Sequence, residues 1–178
     1  MQALDFWLLD SIRAWVSCAL FDILMPWISM LGEAGVVWIL SGGLLLCTKK
    51  YRKEGFYLLL SLLAGLLICN LTLKPLVARA RPCWLNPAAE LIVSVPHDFS
   101  FPSGHATSSF AAAASIYYAN RKFGIVAFIV ATVMAFSRLY LYVHFPSDVL
   151  AGAAIGFACG YFVPRWAEKW YQRFVLKK

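Results

Sequence analysis

Long apolar runs separated by short polar connections dominate the chain. Four of them reach or approach the roughly 20 residues, sometimes about 17, that a membrane-spanning helix needs. These runs cover 34–48, 56–73, 123–143 and 148–165. A fifth run, 103–119, is rich in Ser and Ala, and small residues suit a helix packed inside a bundle. The pattern predicts an all-α integral membrane helix bundle with about five spanning helices.

The first 31 residues follow a different pattern. The segment LDFWLLDSIRAWV places Asp5, Asp10 and Arg13 among large apolar residues, and the segment LFDILMPWISML contains Asp22. Such mixing of charged and apolar positions predicts two amphipathic helices at the membrane interface, with the charges on the polar face. The alternative is one more spanning helix, which would raise the number of spans to six.

Charge and composition narrow the class of protein. Charged residues make up only 14% of the chain, and the net charge is +7. Lys and Arg punctuate the apolar runs and are not gathered on one solvated face, so anionic lipid headgroups are the expected partners and nucleic acid is not. We expect no obligate protein partner. The expected organisation of the single membrane domain, 1–178, is an interfacial segment, a catalytic bundle and a basic cytoplasmic tail, at 1–31, 34–165 and 166–178.

The loops predict the orientation in the membrane. The basic segments 49–55 and 120–124 and the basic tail are separated by even numbers of predicted spans, so they lie on one side. The positive-inside rule makes that side cytoplasmic. The connections 74–102 and 142–148 then face outward, although the first contains Lys74, Arg79 and Arg81. Positive charge on the unfavoured side suggests that it is kept for a ligand.

Three polar groups fall at the outward ends of separate predicted helices. They are KPLVARARP at 74–82, PSGH at 102–105 and SRLYLYVHFPSD at 137–148. For any single charged residue in these groups, ion pairing between helix ends is the alternative interpretation. Taken together, the ionisable residues include one acid, and the surplus of positive charge calls for an anionic ligand. They are Lys74, Arg81, His105, Arg138, His144 and Asp148.

Phosphoryl transfer is the chemistry that these residue types suit. Lys74, Arg81 and Arg138 supply fixed positive charge for phosphate oxygens. Ser103 is expected to cap a helix, and Gly104 lets a ligand approach the free N–H groups of that helix end, which bind anions. Donors placed in this way stabilise the charge that spreads over the phosphoryl oxygens in the transition state.

Two histidines divide the remaining chemical work. His144 is the candidate nucleophile, and Asp148 is the candidate acceptor for the proton on its other ring nitrogen. His105 is the candidate general acid for the leaving group. Pro146 disfavours helical geometry at the residue before it, so residues 144–147 are predicted to turn.

The same residues carry a resemblance to a known family. Lys74-x6-Arg81-Pro82, Pro102-Ser103-Gly104-His105 and Ser137-Arg138-x5-His144-x3-Asp148 resemble, in order, the three signature motifs of the type 2 phosphatidic acid phosphatase superfamily, over residues 34–165. The resemblance implies a lipid phosphatase without metal or cofactor that uses a phosphohistidine intermediate. It implies His144, His105 and Asp148 as catalytic residues, and as phosphate ligands Lys74, Arg81, Ser103, Gly104 and Arg138. It further implies a multi-pass protein of the bacterial cytoplasmic (inner) membrane, and the basic loops predict that its site faces the extracytoplasmic side.

The choice of lipid substrate is left open by the motifs. The short chain looks like bacterial members that act on undecaprenyl diphosphate or phosphatidylglycerophosphate. Arg79 favours the diphosphate as one more positive charge, with an arginine reaching to lipid headgroups as the equal alternative. Other candidates are a phosphatidic acid phosphatase, a lipid phosphotransferase and a non-catalytic transporter-like protein. His97 is expected in a solvated loop, and Trp84 in an aromatic belt at the membrane surface.

Overall fold

The computed structural model of the protein describes residues 2–174, with side chains through Trp170. Within that range the regular structure is helical, as predicted. The α-helices, numbered in chain order, are α1 (Gln2–Val16), α2 (Ala19–Leu31), α3 (Val36–Cys47), α4 (Arg52–Gly65), α5 (Lys74–Val77), α6 (Pro82–Leu85), α7 (Gly104–Ala119), α8 (Arg121–Tyr140) and α9 (Pro146–Phe174). A 3-10 turn (Glu33–Gly35) joins α2 to α3, and a π-helix (Leu66–Leu73) joins α4 to α5.

Three helical segments of the described chain are long and apolar enough to cross a membrane. They are Arg52–Leu85, Arg121–Tyr140 and Pro146–Trp170. The chain is therefore a membrane protein. Helix α7 lies at the centre of the bundle, packed against α8 and α9 with its alanines buried, as predicted for 103–119. It has only 16 residues, so the total of five spans stays a prediction.

The placement of residues 1–31 at the membrane interface stays a prediction, and a bend separates α2 from α3. Helix α2 passes the spanning test only together with the 3-10 turn and α3, from which it is bent by 44°. The break falls at Ala34 and Gly35, whose positive φ angles of 49° and 69° cannot continue a right-handed helix. The segment from α2 through α3 is therefore not one straight span, and α3 by itself has only 12 residues.

Two predicted boundaries also shift. The run 123–143 ends as a helix at Tyr140, because Tyr142 has a φ of 60° and residues 141–145 form a buried turn. Helix α9 begins at Pro146, two residues before the predicted start, and continues past 165 through most of the predicted basic tail. Residues 175–178 of that tail lie outside the described residues.

A seam of glycines sets the distance between α7 and α9. A Cβ atom added at Gly156 would lie 2.2 Å from the carbonyl oxygen of Thr107, and one added at Gly152 would lie 2.5 Å from that of Ser103. Glycines spaced four apart line one helix face and let the backbones of two helices touch. The contact brings the N-terminal ends of α7 and α9 together. Each of these ends lies within one of the predicted motifs, 102–105 for α7 and 137–148 for α9.

The basic segments gather at the other end of the bundle. Lys53, at the start of α4, lies 2.9 Å from Glu168 near the end of α9. The hydroxyl of Tyr57 donates to the same carboxylate at 2.5 Å. Helix α7 ends and α8 begins at this same end of the bundle, and Asn120 is the cap residue of both helices. The polar motifs and the basic loops thus lie at opposite ends of the bundle.

Candidate active site

The first motif places two buried cations beside a carboxylate that the motif does not contain. Lys74 starts α5, and Arg81 precedes α6; they are 7% and 2% exposed. Lys74 forms an ion pair with Asp98, and Arg81 Nη2 donates to the same carboxylate at 2.6 Å. Partial burial alone would raise the pKa of Asp98, but Lys74 and Arg81 outweigh it and hold the pKa at about 2. Asp98 is a site residue that sequence reasoning missed, since a lone acid in an irregular loop gives no spacing signal.

The second motif forms the N-terminal end of α7, as predicted. The hydroxyl of Ser103 accepts a hydrogen bond from the N–H of Ala106 at 3.5 Å, so Ser103 is the N-cap. Ser103 is completely buried, whereas Gly104 lies on the surface of a large cavity. A Cβ atom at Gly104 would lie 3.3 Å from the side-chain oxygen of Asn70. The absence of a side chain at Gly104 keeps the helix end open to the cavity.

His105 points toward the loop that follows α2. Its Nε2 atom lies 3.1 Å from the carbonyl oxygen of Ser29 and 3.7 Å from the carboxylate of Glu33. A carbonyl oxygen can only accept, so Nε2 carries a proton in this arrangement. His105 also lines the cavity, so it holds a proton beside the space where a substrate would bind.

Arg138 lies in the last turn of α8 and is 8% exposed. Its Nη1 atom donates to the hydroxyl of Ser29. Among the described residues, its buried Nε atom has no hydrogen-bond partner. A buried guanidinium N–H without a partner is costly, and an anion bound at this position would satisfy it.

The buried turn 141–145 presents His144 to the cavity. Arg81 Nη1 lies 3.1 Å from His144 Nε2; since a guanidinium can only donate, Nε2 is the unprotonated nitrogen and Nδ1 carries the proton. Burial, and then the positive charges of Arg81 and Arg138, lower the pKa of His144 from 6.5 to about 3, against the opposite effect of Asp148. The imidazole is therefore neutral with its lone pair at Nε2.

Asp148 has more partners than its motif predicts. Its Oδ2 atom accepts from the hydroxyl of Ser100 at 2.5 Å and from the N–H of Phe145 at 2.9 Å. The distance from Oδ2 to His144 Nδ1 is 3.7 Å, longer than a hydrogen bond, and Ser100 Oγ lies 3.5 Å from the same nitrogen. Ser100 thus sits between the predicted pair. No sequence pattern pointed to it, because it stands two residues before Pro102 in an irregular segment.

Arg79 is where the structure overturns a sequence expectation. Its guanidinium contacts Asp148 at 2.5 Å and Asp5 at 2.7 Å, and stacks 4.2 Å from the ring of Phe145. It points neither to a second phosphate nor to lipid headgroups. Both expectations were wrong because they treated Arg79 without the carboxylates that the fold brings to it.

The polar face assigned to α1 is wrong for Asp5, whereas Asp10 is exposed as predicted. Asp5 is 5% exposed and faces Arg79. Asp10 accepts from the hydroxyl of Tyr142 at 2.6 Å, and Arg13 lies 5.5 Å from the centre of the same ring. Asp10 and Arg13 thus contact Tyr142 of the buried turn 141–145, and Asp5 contacts Ser147 at the start of α9.

One cavity of about 1080 Å³ collects six of the eight predicted site residues. Ser103 and Asp148 are fully buried and do not appear in its wall. The cavity continues between apolar side chains of α3 and α4 and the π-helix. The predicted residues in its wall are Lys74, Arg81, Gly104, His105, Arg138 and His144, and the apolar ones include Ile39, Leu59, Leu62, Leu63 and Leu66.

The cavity wall also shows how the loop residues behave. His97 lies at this wall. Trp84 donates from its ring nitrogen to the carbonyl oxygen of Pro96 at 3.1 Å and packs on Phe99, so it braces the loop; its place in an aromatic belt stays a prediction. Asp98 and Glu33 place two carboxylates beside the three cations. The positive surplus is therefore smaller than the motifs alone suggest.

Comparison with known proteins decides the family. Residues 54–172 match the model of the PAP2 superfamily. The chain belongs to this superfamily. The family resemblance carried by the three motifs is confirmed.

Individual relatives agree with this assignment. An undecaprenyl-diphosphatase of Sulfolobus acidocaldarius is 35% identical over 135 residues, which cover 75% of this chain and 64% of that protein. The chain thus spans just under two thirds of that relative's length. The crystal structure of Aquifex aeolicus LpxE matches with a TM-score of 0.80 at 26% identity, covering 91% of this chain and 95% of that one. A transmembrane PAP2-type phosphatidylglycerolphosphate phosphatase from Bacillus subtilis matches with a TM-score of 0.76 at 25% identity, covering 94% and 86%.

Proposed function

We propose that the protein hydrolyses a phosphate or diphosphate ester of a membrane lipid through a phosphohistidine at His144. The observation that carries the proposal is the orientation of this side chain. Its unprotonated Nε2 lies beside Arg81 at the wall of a cavity that also presents Lys74 and Arg138. A neutral imidazole with its lone pair toward an anion site is the arrangement that nucleophilic attack on phosphorus needs.

The phosphoryl group would bind among the cations and the end of α7. Arg81 and Arg138 can grip its oxygens, Lys74 adds a point charge, and the free N–H groups at Gly104 add the positive end of the helix dipole. Ser103 contributes indirectly, because its hydroxyl caps the N-terminal end of α7 and stabilises it. These donors stabilise the charge of the phosphoryl transition state, so we propose that no metal ion is required.

The two histidines would then complete two displacements. The Nε2 lone pair of His144 forms a bond to phosphorus while the bond from phosphorus to the leaving oxygen breaks. That oxygen takes a proton from His105, which enters the step as the imidazolium and leaves it as the neutral imidazole. Water next attacks phosphorus, His105 accepts its proton, and the P–N bond breaks to release phosphate. The Asp148 carboxylate stabilises the charge that His144 gains in the first step.

The apolar part of the cavity suits the chain of a lipid substrate. The Sulfolobus relative, an undecaprenyl-diphosphatase, supports undecaprenyl diphosphate as that substrate. The Bacillus structure, a phosphatidylglycerolphosphate phosphatase, supports phosphatidylglycerophosphate as the alternative. The argument from Arg79 no longer favours a diphosphate, because two carboxylates already occupy that side chain. The preference for undecaprenyl diphosphate therefore rests on this relative and on the outward-facing site proposed below.

We also propose that the protein lies in the bacterial cytoplasmic membrane with this site facing outward. The basic segments around Lys53 pack at the end of the bundle opposite the cavity. The positive-inside rule puts such segments in the cytoplasm, and the site is then extracytoplasmic.

Phosphate release from a panel of lipids tests the proposal. Purified protein in detergent is given undecaprenyl diphosphate, phosphatidylglycerophosphate and phosphatidic acid, with and without EDTA. We expect release from at least one lipid, no effect of EDTA, and loss of turnover in His144→Ala. Asp22→Asn is the control, because Asp22 does not line the cavity. Absence of release from every lipid, or full activity of His144→Ala, contradicts the proposal. A second phosphorylated lipid among the products would identify a phosphotransferase.

A further inference from the structure

Arg79 joins the N-terminal helix to the carboxylate behind the nucleophile. Arg79 Nη1 donates to Asp148 Oδ1 at 2.5 Å and to the hydroxyl of Ser147 at 2.7 Å. Arg79 Nη2 donates to Asp5 Oδ2 at 2.7 Å. The side chain of Arg79 is 22% exposed, and that of Asp148 is fully buried. One guanidinium thus bridges two carboxylates from opposite ends of the chain.

Asp5 completes the arrangement at the start of α9. Its Oδ1 atom accepts from the backbone N–H of Ser147 at 3.1 Å, and its Oδ2 atom accepts from the Ser147 hydroxyl at 2.6 Å. Ser147 lies in the first turn of α9, where backbone N–H groups have no partner within the helix. A carboxylate in this position caps the helix from outside and is favoured by the helix dipole. Asp5 therefore fixes the helix end that carries Asp148.

The two carboxylate oxygens of Asp148 have separate tasks. Oδ1 faces Arg79, while Oδ2 faces Ser100, the N–H of Phe145 and, at 3.7 Å, His144 Nδ1. A fully buried carboxylate stays ionised and oriented only if it is paired. Arg79 provides that pairing on the side away from His144 and leaves Oδ2 directed at the imidazole.

We infer that Arg79 and Asp5 are positioning residues which hold the Asp148 carboxylate, ionised and oriented, behind the imidazole of His144. The inference rests on the proposed function, since it concerns the same reaction. Neither residue lines the cavity wall, so neither acts by touching the substrate. Loss of Arg79 leaves Asp148 as a buried anion without its cation, and the imidazolium charge that develops during attack loses its stabilising partner.

Turnover of Arg79→Met and Asp5→Asn tests this role. We expect Arg79→Met to lower kcat by about 10- to 100-fold, the factor for one lost charge-assisted hydrogen bond, with KM unchanged within about twofold. Asp5→Asn, which keeps an oxygen acceptor, should lower kcat by about three- to tenfold, and Arg79→Lys should recover part of the loss. Arg13→Met is the matched control, because Arg13 lies on α1 and contacts the Tyr142 ring without reaching Asp148.

Epistasis separates positioning from general stabilisation. In an Asp148→Asn background, Arg79→Met should lower kcat little further, because Arg79 acts through that carboxylate. Full additivity of the two changes, a wild-type kcat in Arg79→Met, or a rise in KM without a fall in kcat would overturn the inference. If Arg79→Met does not fold, Asp5→Asn and Arg79→Lys carry the same comparison. A wild-type protein that releases no phosphate refutes the proposed function itself, whereas active wild type with unaffected variants refutes only the positioning role.

Discussion

Asp98 occupies the place where a phosphoryl group is expected to bind. Its carboxylate contacts Lys74 and Arg81, and Arg81 Nε also donates to the Asp98 carbonyl oxygen at 2.7 Å. A bound phosphate needs the same cations, so it must compete with this internal anion. We predict that Asp98→Asn strengthens phosphate binding, because the amide keeps the size of the side chain and removes its charge.

The exposure of Asp98 limits the size of the effect. The side chain is 54% exposed, so solvent screens its two ion pairs, and each is worth about 0–1 kcal/mol. Removing both lowers the cost of displacement by about 1 kcal/mol, which corresponds to about fivefold tighter binding. The buried partners Lys74 and Arg81 then lack a counter-ion until phosphate arrives, so the free protein should also be less stable.

Inhibition by inorganic phosphate and by vanadate measures the change directly. We expect the inhibition constants and the KM for a lipid phosphate to fall about fivefold in Asp98→Asn, with kcat within about twofold of wild type. Asp22→Asn is the matched control, since Asp22 accepts from the Tyr140 hydroxyl at 2.5 Å and does not line the cavity. Equal or weaker inhibition of Asp98→Asn would refute the competition and show that Asp98 instead holds the two cations in place for phosphate.

Three further predictions test packing, the histidine environment and its pH dependence. Gly156→Ala should lower the free energy of unfolding by about 1–3 kcal/mol, because its Cβ would lie 2.2 Å from a carbonyl oxygen of α7. Gly43→Ala is the control, since Gly43 has open space around it. Equal melting temperatures of the two variants would contradict the close contact between α7 and α9. Ser100→Ala should lower kcat about tenfold with little change in KM, since its hydroxyl lies between Asp148 and His144 Nδ1; an unchanged kcat would exclude that role. The pKa of His144 is about 3 in the folded protein and 6.5 ordinarily. As the pH falls, His144 is therefore protonated in the unfolded chain before it is protonated in the folded protein. The free energy of unfolding decreases as the pH falls from about 6.5 toward 3. Melting temperatures of His144→Gln should fall less steeply over that range, and identical slopes would count against a neutral buried His144.

The family and the six motif residues in the cavity wall could be predicted from the sequence because their signals are local. A serine before a glycine at a helix start predicts a cap and an open helix end, and Ser103 and Gly104 form both. Glycines repeated every four residues predict a close helix contact, and Gly156 makes one. Fixed spacings within the three motifs identified the residues that share the cavity wall.

The roles of Arg79, Asp98 and Ser100 depended on the tertiary structure. The residues next to Arg79 in sequence do not show whether it binds a diphosphate, lipid headgroups or carboxylates. In the structure it pairs with the carboxylate of Asp5, which lies 74 positions away in sequence. Asp98 and Ser100 stand in an irregular loop without periodicity. The sequence by itself determines which helix begins with a capping residue or a glycine. The partner of a buried charge depends on the tertiary structure. A buried charge is stable only beside groups that packing brings within hydrogen-bond distance.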